Sequence, residues 1–244
     1  MSPSAPPPTT VVLVHGSWHG PWCWDKVVPL LQARGLAVAT PKLPSMGNSR
    51  DERGDLHDDA RVVREAVDAA GGPVVLVGHS YAGSVVTEAS AGAANVAQLV
   101  YLCALVPDEG ETIFDTLTLV DEPPLVGPGN GLVIYDDDFS HGPEAGKERA
   151  LFYHDCDQAD VDAALPRLVR QNAVTGTQEL RGFGNREHPV TYVVCTDDRT
   201  ISPNLQRVFA TRLGGAVVEL PTSHSPMVSQ PKLVADLLAG LAGA

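Results

Sequence analysis

Short apolar runs alternate along the chain with longer stretches in which apolar residues recur every three or four positions. The runs are Thr9–Gly16 (TTVVLVHG), Leu36–Pro44 (LAVATPKLP), Pro73–Ser80 (PVVLVGHS), Ala97–Pro107 (AQLVYLCALVP), His188–Asp198 (HPVTYVVCTDD) and Ala216–Pro221 (AVVELP). They are rich in β-branched residues and carry few polar residues on either face. That pattern predicts six strands of a mainly parallel sheet covered on both sides. Helical spacing over Trp24–Gly35, Leu56–Ala70, Tyr81 to about Ala94, Pro203–Leu213 and Pro231 to about Leu241 predicts the crossover helices, with Pro29 a candidate kink in the first. Right-handed crossovers bring the C-terminal ends of all the strands to one edge, where ligands bind in open α/β sheets.

Residues 108–187 break the alternation. Pro/Gly-rich loops (DEPPLVGPGNG), an acidic cluster and helical stretches around Lys147–Tyr153 and Ala159–Gln171 fill the interval. Eighty residues of loop do not fit a compact domain, so the interval predicts an inserted helical cap over the ligand edge. The expected organisation is a disordered lead-in over residues 1–10, a core over 11–107 and 188–244, and the cap, in one domain.

Composition narrows the function classes. A net charge of −13 opposes nucleic acid and anionic membrane surfaces. No apolar run is long enough for a membrane span, and MSPSAPPPTT has neither the basic nor the apolar region of a secretory signal. The four cysteines, Cys23, Cys103, Cys156 and Cys195, are scattered without paired spacing, which predicts free thiols and a cytoplasmic protein.

The chemistry gathers at the end of the third run. Gly78-His79-Ser80-Tyr81-Ala82 is a variant of G-x-S-x-G, the strand-to-helix elbow that exposes a nucleophilic serine in the α/β-hydrolase fold. The string alone is weak; its place after an apolar strand and before a helix gives it meaning. Gly78, Ala82 and Gly83 leave room for the sharp turn. A serine hydroxyl needs a base, the base needs an acid to orient it, and in this fold they follow in the order serine, acid, histidine. His224, just past the sixth strand, meets that requirement, whereas His188 precedes the fifth strand and falls on the wrong edge. For the acid, Asp197 and Asp198 both follow the fifth strand, and Asp108 with Glu109 ends the fourth. Oxyanion donors are expected from the backbone N–H of Tyr81 and, across the glycine turn HGSWHG, from that of Ser17 beside Gly16.

VVLVHGSWHGPWCW, LVGHSYAGSVV, YLCALVPDEGET, CTDDRTISP and SHSP together resemble the α/β-hydrolases of the plant methylesterase and hydroxynitrile lyase group and its bacterial esterase relatives. The resemblance covers nearly all of the chain after the first ten residues, including LFYHDCDQADVDAALPRLVRQ in the cap. It implies Asp198 as the acid and makes VPD (Val106–Asp108) the start of the cap. It also implies an esterase rather than a lyase, because those lyases carry threonine at the place of Gly16 and lysine at the place of Ser225.

These readings predict a serine carboxylesterase acting on a small, fairly apolar ester through an acyl-enzyme, with Ser80, His224 and Asp198 catalytic and no metal or organic cofactor. A lactonase, thioesterase or C–C hydrolase would share the triad, and a small-molecule receptor on a hydrolase fold is the alternative of another class. Expected substrate contacts are Gly16, Trp18, His79, Phe114, Phe139 and Phe152. HDCD (His154–Asp157) and YDDDF (Tyr135–Phe139) carry metal-ligand residue types without converging spacing, and GPGNG lacks the strand and Lys of a phosphate loop.

Overall fold

The computed structural model describes residues 8–244. The expected lead-in therefore falls mostly outside the described residues, and Thr10 already belongs to the first strand. In chain order, β1 (Thr10–Val14), α1 (Val28–Gln32), β2 (Ala37–Ala39), α2 (Leu56–Ala69), β3 (Val74–His79), α3 (Ala82–Ala89) and β4 (Val96–Leu102) form the first half of the core. The insertion carries α4 (Ile113–Thr116), β5 (Gly127–Pro128), β6 (Gly131–Tyr135), β7 (Ser140–Pro143), α5 (Glu148–Phe152), α6 (Gln158–Ala164) and β8 (Gln171–Asn172). Then β9 (Val190–Cys195), α7 (Pro203–Leu213), β10 (Ala216–Leu220), α8 (Pro226–Ser229) and α9 (Pro231–Leu241) complete the core.

The six core strands are all parallel, in the order β2-β1-β3-β4-β9-β10. The chain first steps outward from β1 to β2, then returns to β3 and builds towards the other edge. A crevice opens where that direction reverses, between the ends of β1 and β3. Every residue of β1, β3 and β9 is buried. Their side chains alternate between two cores: Val12, Val14 and Leu76 pack on one face, Val11, Leu13, Val75 and Val77 on the other. At about 1.5–3 kcal/mol per fully buried aliphatic side chain, this sheet is the main source of the fold's stability.

The flanking helices follow from their caps and stripes. In α2, the Asp55 carboxylate accepts from the His57 and Asp58 N–H groups at 2.9 and 3.0 Å, and Asp58 returns a bond to the Asp55 N–H. Leu56, Ala60, Val63 and Val67 form its buried face, and Asp59 lies on that same face.

Three helices are shorter than their periodicity predicts; α3 ends at Ala89 rather than near Ala94. Pro29 sits in the first turn of α1, where its missing N–H does no harm, and the preceding Pro21–Trp24 stretch is a separate 3-10 turn. The expected helix over Ala159–Gln171 ends as α6 at Ala164, followed by a 3-10 turn containing Pro166. The insertion is also not purely helical. It holds a four-stranded sheet, β5-β6-β7-β8, whose β6–β7 hairpin turns through the acidic residues 136–138. No helix of the described residues is long and apolar enough to cross a membrane.

Candidate active site

Ser80 stands between β3 and α3 with φ of +55°, a left-handed conformation that costs a non-glycine residue about 1–3 kcal/mol. The surroundings hold it there. Its N–H donates to the Leu102 carbonyl at 3.1 Å, and its carbonyl accepts from the N–H groups of Gly83 and Leu105, both at 3.0 Å. A Cβ on Gly78 would stand 2.6 Å from the Ala82 carbonyl oxygen, and one on Gly83 would stand 2.5 Å from that of Leu105. These two glycines let strand, turn and helix pass so closely.

His224 and Asp198 meet on the same edge. His224 Nδ1 donates to Asp198 Oδ2 at 2.7 Å, and both residues are buried. The other oxygen of Asp198 accepts from the Thr200 and Ile201 N–H groups at 2.7 and 3.1 Å, and Gln206 Nε2 donates to Oδ2 at 2.9 Å. Four donors thus hold the Asp198 carboxyl in a fixed pose. Asp197 is exposed. Asp108 and Glu109 are also exposed and pair with Arg186, at 2.7 and 3.1 Å. Among the described residues no hydrogen bond joins Ser80 Oγ to His224; such bonds are often loose until substrate is bound.

The loop after β1 is fixed from behind by two buried histidines. His15 Nδ1 donates to the Gly16 carbonyl at 3.0 Å and its Nε2 accepts from the Leu43 N–H. His19 Nδ1 donates to the Ser17 carbonyl at 2.7 Å, which leaves Nε2 to accept the Tyr153 hydroxyl at 2.6 Å. Burial holds His15 down at about 4 and His19 at about 3, so both rings are neutral near pH 7. With the carbonyls held this way, the N–H of Ser17 has no acceptor among the described residues, and neither does that of Tyr81. The Tyr81 side chain is anchored on the α2 carboxylate: its hydroxyl donates to Asp59 Oδ2 at 2.7 Å, and the Ser45 hydroxyl donates to the same oxygen at 2.6 Å.

Ser17, Trp18, Ser80 and Tyr81 open on a cavity of about 560 Å³, counting its mouth, roofed by the insertion. Leu105, Ile113, Phe114, Leu117, Val126 and Leu132 make its walls mainly apolar, and no charged residue lines it. Of the expected substrate contacts, Trp18 and Phe114 line this cavity; the others do not. Phe139 sits at the β6–β7 turn with φ of +51° and is 54% exposed, which corrects its placement in the pocket. Phe152 is fully buried behind it, packed on Trp18 and His224 with ring centroids 5.5 and 6.1 Å away. His79 is also behind, donating through Nε2 to the His224 carbonyl at 2.8 Å. Gly16 lies against Ser80, where any Cβ would come within 2.8 Å of Ser80 Cβ. Two lining residues, His141 and Gln171, escape sequence reasoning because the β7–β8 pairing that places them is a contact within the cap sheet. A hairpin signal, GLVIY followed by DDDF, was the available hint.

His79, Cys103 and His224 bring one ligand-type atom each within 4.8 Å of one another. Their hydrogen bonds suit a metal poorly: His224 Nδ1 is committed to Asp198, and burial pushes the Cys103 thiol well up, keeping it protonated.

Comparison with known proteins places this geometry. The sequence model described as the alpha/beta hydrolase family matches residues 11–237. The chain is 31% identical over 250 residues to a pyrethroid hydrolase of Sphingobium wenxiniae, covering 97% of this chain and 88% of that protein. It is 26% identical over 249 residues to Methylesterase 2 of Arabidopsis thaliana, covering 95% of each. The crystal structure of a pyrethroid hydrolase from Sphingobium faniae superposes with a TM-score of 0.83 at 28% identity, over 97% of this chain and 98% of that one.

Proposed function

The chain belongs to the alpha/beta hydrolase family, and from that premise we propose that it is a carboxylic ester hydrolase working through a serine nucleophile. Ser80 attacks the ester carbonyl while His224 Nε2 takes its proton, since Nδ1 is occupied by Asp198. Asp198 keeps that tautomer and stabilises the imidazolium. The oxyanion of the tetrahedral intermediate rests on the N–H groups of Ser17 and Tyr81, each such donor contributing about 2.7–4 kcal/mol to lowering the barrier. Tyr81 also stands at the N-terminus of α3, whose dipole favours negative charge. The alcohol leaves with the proton from His224, and water releases the acid by the same steps in reverse.

The single observation that carries this reading is the buried His224–Asp198 pair on the same sheet edge as the strained Ser80 turn, which opens into an apolar cavity. The uncharged lining favours a small neutral ester. A relative named as a methylesterase supports ester cleavage over the other acyl chemistries that share the triad. Hydrolysis of p-nitrophenyl esters from acetate to octanoate, with wild type and Ser80→Ala in parallel, tests the proposal. Activity that disappears in Ser80→Ala is expected. A wild type inactive on every chain length, or a Ser80→Ala variant as active as wild type, would overturn it.

A further inference from the structure

The cavity wall is mainly apolar, and away from Ser17, Ser80 and Tyr81 one place in it stands out. His141 and Gln171 lie directly opposite each other on β7 and β8, which puts their Cβ atoms about 4.5–5.5 Å apart on the same face. Both line the cavity and both are buried. Of the other polar side chains in the wall, Thr175 donates to the Asn172 carbonyl and Thr200 to the Leu151 carbonyl. Ser17 and Ser80 belong to the reaction centre.

The hydrogen-bonding sense of each member follows from its neighbours. The indole N–H of Trp18 donates to His141 Nδ1 at 3.0 Å. An indole nitrogen can only donate, so Nδ1 must be the bare nitrogen and Nε2 must carry the hydrogen. A second proton on the ring would set two donors against each other, and burial with the nearby Arg53 charge holds His141 down at about 4. Nε2–H has no acceptor among the described residues.

Gln171 is its complement. The Ser45 hydroxyl is already donating to Asp59, so towards Gln171 it can only accept, and the amide turns its Nε2 that way at 3.4 Å. Gln171 Oε1 is then a fully buried acceptor with no partner. The main chain beside it is fixed: the Asn172 N–H donates to the Ser45 carbonyl at 3.0 Å, and the Arg170 carbonyl accepts from the Gly47 N–H at 2.9 Å. An unpaired buried acceptor is destabilising, a penalty that a bound group able to donate would remove.

We infer that His141 and Gln171 form a donor–acceptor pair that selects esters carrying a neutral hydroxyl group away from the scissile bond. One hydroxyl can accept from His141 Nε2–H and donate to Gln171 Oε1 at once; an ether oxygen can do only the first, and a hydrocarbon neither. This inference rests on the ester hydrolase reading above and narrows it to a substrate class.

The test uses methyl phenylacetate, its 3-hydroxy and 4-hydroxy derivatives, and the matching methoxy compounds. They are assayed with wild type, His141→Phe and Gln171→Met. Wild type is expected to favour a hydroxylated ester over both its parent and its methoxy counterpart by roughly tenfold or more in kcat/KM. The ratio is read within each variant, so any general loss of activity cancels, and in both variants it should fall towards one. Hydrolysis of the parent without a hydroxyl preference overturns the pair and leaves the esterase reading standing. A preference that persists in both variants also overturns it. Failure to cleave any of these esters or the p-nitrophenyl series sinks the esterase reading itself. Should His141→Phe not fold, as judged by circular dichroism, Gln171→Met and the wild-type series decide the matter.

Discussion

Adding one methyl group at Gly83 should disable the elbow, although on helix propensity alone it ought to stabilise the protein. Gly83 is the second residue of α3, and exchanging an exposed mid-helix glycine for alanine gains about 1 kcal/mol. Here the new Cβ would stand 2.5 Å from the Leu105 carbonyl oxygen and 2.8 Å from Ala104 Cβ, so either α3 or the segment after β4 must move by about 0.7 Å to restore contact distance. Neither is free to do so cheaply. The Leu105 N–H is bonded to the Ser80 carbonyl, and the Ser84 hydroxyl donates to the Leu105 carbonyl. Overpacking of this kind costs about 1–3 kcal/mol, enough to cancel the propensity gain of about 1 kcal/mol and leave Gly83→Ala less stable by up to about 2 kcal/mol. Displacing the strut under Ser80 should also lower kcat by about 10–100-fold, because misplacement by about 1 Å can cost that much. Urea unfolding midpoints and kcat on one p-nitrophenyl ester measure both effects. Ala82→Gly is the control, since Ala82 already carries its Cβ at the last motif position; it should lose about 1 kcal/mol of stability and keep its kcat within about twofold. A Gly83→Ala protein as stable and as active as wild type would refute the reasoning that close approach, rather than motif spelling, fixes the elbow.

Asp198→Asn should lower kcat by about 10⁴-fold by removing the acceptor for His224 Nδ1, while Asp197→Asn, at an exposed position, should stay within about twofold; equal effects would reassign the acid. Tyr153→Phe strips the donor from buried His19 Nε2 and loosens the Ser17 carbonyl behind the oxyanion loop, so kcat/KM should drop by about tenfold, and an unchanged value would remove the relay from the mechanism. Stability should depend on pH in two opposing ways. Burial holds folded His15 and His141 at about 4 against 6.5 when unfolded, so protons favour the unfolded chain and each contribution is lost as pH falls below 6.5, by about 2 kcal/mol at pH 5. Folded Asp59 is raised by burial to about 7 from 3.8, so its contribution is full below 3.8, lost as pH rises through 7, and grows by about 2 kcal/mol between pH 7 and pH 5. The deficit of Asp59→Asn relative to wild type should therefore widen by about that amount between urea titrations at pH 7 and pH 5, and a constant deficit would contradict the assignment.

The six strands and the edge they share are legible because each is a short, mostly apolar run rich in β-branched residues; β1, β3 and β9 are buried on both faces, whereas the edge strands β2 and β10 are largely half-buried or exposed and are marked by residue type alone. Ser80 and His224 are candidates for a related reason: each follows the end of such a run within a few residues, so locating the strand locates the side chain; strand position does not choose between Asp197 and Asp198, and Asp198 is what the family resemblance implies. The cap lacks that property. Its strands are two to five residues long and mix Gly, Pro and His with apolar positions, so neither a period of two nor one of 3.6 emerges. Phe139 illustrates the result, an aromatic beside a pocket in sequence terms that the β6–β7 turn carries out to solvent. Asp59 is hidden differently. On α2 it reads as one more acidic residue in the first turn, and only the Tyr81 and Ser45 hydroxyls, 22 and 14 residues away in the chain, turn it into a buried acceptor.

The buried histidines show how the site is made rigid without crowding it with charge. His15, His19 and His79 each make a hydrogen bond to a backbone carbonyl in the oxyanion loop or the His224 loop, and burial pushes all three rings below their ordinary pKa. Lysine or arginine could make the same bonds, but as permanent cations. The His79 ring centroid is only 4.8 Å from that of His224, and two unit charges about 5 Å apart repel by about 3 kcal/mol at an effective dielectric constant of 20. In the proposed mechanism that repulsion would fall on the imidazolium that His224 becomes on taking the serine proton. Neutral imidazoles supply the directional donor and spare the transition state the opposing charge. Asp198, held by four donors, is the carboxyl hydrogen-bonded to the His224 ring, and in the proposed mechanism it favours the positive charge that the imidazole takes on.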